Sequence, residues 1–180
     1  TVAEVVSSVK LLAQGARGAQ VSITGGEPLM QADFLRNLLR TLRKAGYGTY
    51  LETNGSMPAQ FAKVACLADV VAMDFKLPGS AGIEKLWGRH ASFLRAASAC
   101  RVFVKAVVSQ KTPAKEVEKA ARIAASAGGP GITLVLQPVS NASGKPSVGQ
   151  SGLMKLQASA MKYVSDTRVI PQLHRIAGWK

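Results

Sequence analysis

The sequence predicts an α/β fold with a parallel sheet and helices outside, on three observations. Short β-branched runs alternate with amphipathic, helix-length segments along all 180 residues. Turns bearing Gly or Pro separate them. No repeat, linker or low-complexity block divides the chain, so residues 1–180 read as one domain. Strands spaced by helices imply βαβ units with right-handed crossovers. An open doubly wound sheet and a barrel both satisfy this pattern, and in both the ligand lies at the carboxyl ends of the strands.

Each element has its own signal. The chain opens in a helix, with Thr1 as N-cap, Glu4 as its capping-box partner, and Val2, Val5, Val6, Val9 and Leu12 on one face. Strand "AQVSIT" follows and stops in "GGEP". A helix over 31–44 sets Phe34, Leu35, Leu38, Leu39 and Leu42 opposite Arg36, Arg40, Arg43 and Lys44. Next come strand "TYLET", turn "NGSMP", a helix over 59–67, strand "VVAMDF" and loop "KLPGSAG". A helix over 83–97 and strand "VFVKAVV" lead to a helix over 113–127, with Thr112 as its cap and Pro113 at its first position. Strand "ITLVLQP", a Gly/Ser/Pro loop over 139–150, a helix to 164 and a final "TRVIP" complete the alternation.

Composition bounds the function classes. At 47% hydrophobic the chain can bury a sizeable core. Its longest apolar runs fall far short of the roughly 20 residues of a membrane span, and the expectation is a cytoplasmic protein with no membrane partner. Lys and Arg number 23 against 10 Asp and Glu, a net +13 that suits anionic ligands. The basic helix has the spacing of a solvated outer face, and basic segments interleaved with aromatics are missing, so nucleic acid is not the expected partner. Cys66 and Cys100 stand far apart with no neighbouring Cys or His; they read as small hydrophobes, and no metal ligand is assigned.

The strand ends carry the chemistry: "TGGEP", "ETNG", "DFK", "QP" and "PQLH", with Lys105 interrupting the apolar fourth strand. Glu27, Glu52, Asp74, Lys76 and Lys105 on this rim need partners, either one another or a charged ligand. Two glycines before an acid let backbone approach a ligand, and a carboxylate such as Glu27 can grip an ammonium group.

"TGGEPLMQ", "LETNGS" and "VVAMDFK", in that order, resemble the radical S-adenosylmethionine superfamily. "TLVLQP" and the closing "TRVIPQLHRIAGW" are similar to its 7-carboxy-7-deazaguanine synthase family. The resemblance implies a partial (β/α) barrel of the radical S-adenosylmethionine type. It implies that Gly25, Gly26 and Glu27 hold the methionyl ammonium of S-adenosylmethionine while Asn54 and Lys76 hold the rest. Glu52, Gln137 and His174 would line a pterin pocket, or His174 is a capped histidine near a terminus. The reaction implied is a radical one on 6-carboxy-5,6,7,8-tetrahydropterin, giving 7-carboxy-7-deazaguanine in 7-deazapurine biosynthesis, with an electron-donor protein as partner.

One part of that resemblance is missing. The CxxxCxxC loop, three thiolates around a [4Fe-4S] cluster, is absent, and with it the loop residues expected to support Mg²⁺. The expectation is a truncated domain, short of its first strand and cluster loop and inactive by itself. Its exposed sheet edge would make it marginal and association-prone, or would be stabilised by pairing with another chain, a second copy in a homodimer among them. Two other readings stand beside this one. One is an activase of a glycyl-radical enzyme, which a longer C-terminal region would favour. The other is a non-catalytic nucleotide- or RNA-binding module.

Overall fold

The computed structural model describes residues 1–16, 18–81, 86–141 and 144–172, with the backbone alone at residues 66, 80 and 81. Helix α1 (Val2–Ala13) precedes strand β1 (Gln20–Ile23), α2 (Ala32–Lys44) and β2 (Gly48–Thr53). Then follow α3 (Pro58–Ala62), β3 (Val70–Phe75), the short α4 (Pro78–Ala81), α5 (Trp87–Ala96) and β4 (Val102–Val108). Helix α6 (Ala114–Ala127), β5 (Thr133–Pro138), α7 (Gln150–Met161) and β6 (Thr167–Val169) complete the order. The six strands form one sheet in the order β1-β2-β3-β4-β5-β6, every pair parallel.

This sequential order separates the two candidate topologies. A doubly wound sheet reverses its order and puts helices on both faces. Here each crossover carries the chain one strand onward, so right-handed connections set the helices on a single face. The result is the open, partial form of a (β/α) barrel. Its core lies between that face and the helices: Leu51, Met73, Phe75, Val104, Ala106 and Leu136 pack against Leu39, Phe61, Phe93, Ala120 and Leu156. The strands alternate accordingly, β2 reading half-buried, buried, half-buried, buried from Gly48 to Thr53. Their other face, with Tyr50, Glu52, Asp74, Phe103, Lys105 and Gln137, carries no helix among the described residues.

Several elements differ from expectation for local reasons. The segment over 31–44 begins as a 3₁₀ turn, Pro28–Gln31, capped by Glu27, before α2 proper starts at Ala32. The segment over 59–67 splits into α3 and a 3₁₀ turn at Ala65–Leu67. Pro113, not Thr112, is the N-cap of α6, and the Thr112 hydroxyl instead accepts the Ser109 amide at 2.8 Å. Part of the loop after β3 is helical, as α4, and residues 83–85 of the helix expected over 83–97 lie outside the described residues. In α1 the capping box of Thr1 and Glu4 forms, but of the expected apolar face only Val6 is buried, and Leu12 is 82% exposed.

Candidate functional site

The first strand stops where its backbone turns through Gly25, at φ +131°, a conformation that side chains rarely adopt. A Cβ on Gly25 or Gly26 would meet nothing within 4 Å, so both present bare backbone to open space. Glu27 then caps the 3₁₀ turn, and its carboxylate accepts three hydrogen bonds. The Leu29 amide donates to Oε1 at 3.1 Å, the Thr53 hydroxyl to Oε1 at 2.8 Å and the Asn54 amide to Oε2 at 2.8 Å. The lone acid of the GGEP turn therefore ties the end of β1 to the end of β2. A carboxylate has about four acceptor positions, so one remains for a ligand.

The β2 end is built as tightly. Gly55 turns the chain at φ +67°, and a Cβ there would lie 2.6 Å from Met73 Cε. The Gly55 amide donates to Thr53 Oγ1 at 3.2 Å, and the Ser56 amide to Asn54 Oδ1 at 2.9 Å. On the other side of this turn lies His90, from α5, fully buried, its Nε2 3.1 Å from the Asn54 carbonyl oxygen. Its ring packs on Phe75 at 4.2 Å between centroids. Burial pushes the imidazole down to about 4 against the opposing pull of the Asn54 carbonyl and Asp74, so it is neutral at pH 7.

On the open face, residues two apart along each strand continue the site. Asp74 pairs with Lys76 at the end of β3, and its other oxygen, Oδ1, is buried without a partner. Glu52 accepts a long bond from Ser22 Oγ at 3.5 Å. Lys105 lies beside Asp74 in register and, among the described residues, has no carboxylate within ion-pair distance. Gly25, Gly26, Glu27, Glu52, Asn54 and Lys76, with Lys105 and Asp74, line one cleft of ≈ 170 Å³. Gln137 stands on the same face near the end of β5, paired in register with Val107, outside that lining. His174 lies outside the described residues.

The open face is graded from end to end. Towards the amino ends of the strands it holds a larger cleft of ≈ 600 Å³ with Tyr50, Phe103, Val135 and Arg168 in its walls. Tyr50 and Phe103 lie 6.1 Å apart between ring centroids. Burial first, then the Glu52 carboxylate, raises the Tyr50 phenol above its ordinary value. That cleft gathers no carboxylate, and its Arg168 is tied to Asp166 at 2.7 Å. The smaller cleft at the carboxyl ends is where acceptors, cations and bare backbone converge, which is what a small zwitterion requires.

Open space over Gly25 and Gly26, the remaining acceptor position of Glu27 and the orphan Asp74 Oδ1 fit an ammonium group, such as the one S-adenosylmethionine carries. An iron–sulfur cluster finds no comparable fit. Among the described residues no three His, Cys, Asp or Glu side chains gather to hold a metal ion. Cys100 precedes β4 at the other end of the sheet, its Sγ 3.2 Å from the Ala65 carbonyl oxygen. His90 is the residue that sequence reasoning missed; the signal available was a histidine on the inward side of α5 beside Phe93 and Leu94.

No helix among the described residues is long and apolar enough to cross a membrane. No family model matches the chain. It is 39% identical over 158 residues to a 7-carboxy-7-deazaguanine synthase of Geobacter sulfurreducens, an alignment covering 88% of this chain and 62% of that protein. It is 30% identical over 176 residues to the enzyme of the same name from Methanothermobacter thermautotrophicus, covering 88% of this chain and 69% of that one. The chain thus spans about two thirds of the length of these relatives. A solved domain of a pyruvate-formate lyase-activating enzyme from Bacteroides vulgatus superposes with a TM-score of 0.67 over 86% of this chain and 99% of that one, at 14% identity.

Proposed function

The chain belongs to the 7-carboxy-7-deazaguanine synthase family of radical S-adenosylmethionine enzymes, and on that premise we propose that residues 1–180 bind S-adenosylmethionine and 6-carboxy-5,6,7,8-tetrahydropterin, the latter for conversion to 7-carboxy-7-deazaguanine. The observation that carries this is the meeting of three strand ends in one cleft at the open face. The Gly25 and Gly26 backbone and the free acceptor position of Glu27 receive the methionyl ammonium. Asn54 and Lys76 hold the carboxylate and ribose beyond it. Glu52 and Gln137 read the amide and amino edge of the pterin by paired hydrogen bonds, with His174 as a third contact. Lys105, on the same face and with no carboxylate within ion-pair distance among the described residues, takes the pterin carboxylate.

In radical enzymes of this superfamily, S-adenosylmethionine with a [4Fe-4S] cluster supplies hydrogen abstraction. Cys66 and Cys100 do not make the three-thiolate set such a cluster needs, so residues 1–180 alone bind both small molecules and convert neither. An electron-donor protein is a partner of the whole enzyme. The likeness to the activating-enzyme domain, at 14% identity, speaks of fold alone and favours no protein substrate.

Gly26→Val tests the site without disturbing the fold, because the added side chain starts into open space. Calorimetric titration with S-adenosylhomocysteine should show binding by the native chain and binding about tenfold weaker or more in the variant, at an unchanged melting temperature. Equal affinity in the two, or no binding by the native chain, overturns the assignment.

A further inference from the structure

We propose that His90 is a positioning residue of this site, holding the peptide unit between Asn54 and Gly55 in a single orientation so that the Asn54 side chain faces the cleft. The ligand part of this inference rests on the function proposed above; the structural part does not. The two peptide units that meet at the Asn54 Cα are each gripped. The Asn54 N–H donates to Glu27 Oε2 at 2.8 Å, and the Asn54 carbonyl oxygen lies 3.1 Å from His90 Nε2. A carbonyl only accepts, so Nε2 carries the proton and the tautomer is settled by the partner. The first bond fixes the Thr53–Asn54 peptide plane and the second the Asn54–Gly55 plane, so together they fix the two backbone dihedrals of Asn54.

The chemistry of His90 argues against mere filling. Its Nδ1 is buried with no partner, and the ring sits against Phe75 and near Phe93 and Leu94, surroundings that phenylalanine would suit without an orphan nitrogen. Burying an unpaired acceptor costs about 1–3 kcal/mol. What an imidazole adds in return is one directed donor, aimed at Asn54. With Oδ1 of Asn54 accepting the Ser56 amide at 2.9 Å, the Asn54 amide NH₂ is the group left for a ligand.

The test compares His90→Phe, which keeps the ring and removes the donor, with His90→Gln, which restores a donor, in the full chain. Hydrogen exchange is followed at the Asn54, Gly55 and Ser56 amides and at Leu134, in the distant β5. The Phe variant should speed exchange at the turn by about tenfold more than at Leu134, and the Gln variant should recover most of it. A uniform change at all four amides overturns the proposal, since loss of core stability alone acts everywhere. In parallel, S-adenosylhomocysteine should bind about tenfold more weakly to the Phe variant than to the Gln variant. A faster turn with equal affinities means that His90 orders the turn without serving the site, and overturns the positioning role. If the native chain binds no S-adenosylhomocysteine, the functional reading fails while the exchange comparison still decides the grip on Asn54.

Discussion

Glu27 and His90 hold the two peptide units on either side of the Asn54 Cα, and neither does so by carrying an unusual charge into the core. Glu27 spends three acceptor positions on protein donors and keeps its carboxylate fixed before any ligand arrives. Such pre-ordering removes the cost of immobilising a flexible acid on binding. His90 has the opposite electrostatic situation. Its folded value of about 4 lies below the ordinary 6.5, burial being the main cause and the Lys76 ammonium a lesser one. Between these values the unfolded chain binds a proton that the folded chain does not, so stability rises with pH there. The contribution is fully present above pH 6.5 and is lost as pH falls towards 4, by about 3 kcal/mol at most. Urea unfolding at pH 7 and pH 4.5 should therefore show a loss of stability that His90→Phe reduces. An undiminished loss in the variant would assign the acid sensitivity to other groups.

Helix α5 delivers His90, and what fixes α5 is aromatic packing. Phe93, three residues on, stacks on Phe61 of α3 with centroids 4.3 Å apart, both rings fully buried. The (i, i+3) spacing puts His90 and Phe93 on the same side of the helix, so the packing that seats one seats the other. Phe93→Ala should cost about 3–5 kcal/mol, measured as a lowered urea midpoint at unchanged slope. A cost below about 1 kcal/mol would mean that α5 is held elsewhere. The α1 helix shows the contrary case. Its capping box forms because Thr1 and Glu4 are local partners, whereas its apolar face packs on Leu38 and Leu42 of α2 through Val6, with Val2 and Val9 half-buried beside it and Leu12 left exposed.

Across the whole molecule, the sequential strand order decides where chemistry can occur. With the helices on one face, the other is left half-exposed, and its carboxyl end gathers the polar groups. The same order leaves β1 paired only with β2 among the described residues, an edge of unpaired N–H and C=O groups. Self-association through that edge is the expected consequence. Sedimentation at rising protein concentration should show the mass climbing above the monomer, most steeply at high salt, where the repulsion of a net +13 is screened. A monomer at every concentration, with a high melting temperature, would dismiss the edge as an interface.

The parallel α/β class, the order of its strands along the chain, and the turns at Gly25 and Gly55 were legible from residue type and spacing, because these are local properties of backbone and period. So was the clustering of Glu27, Glu52, Asn54 and Lys76, since parallel strands bring all their carboxyl ends to one rim. Two things were not legible. Thr112 looked like a cap and Leu12 like a core residue, and both depended on where neighbouring segments came to rest. His90 and the three bonds of Glu27 join residues up to 36 positions apart. Residue type and strand period alone bring these groups to the rim. Which of them bond to one another and which stay free for a ligand follows from the packed fold, because hydrogen bonds require contact within about 3 Å and spacing along a chain does not specify that.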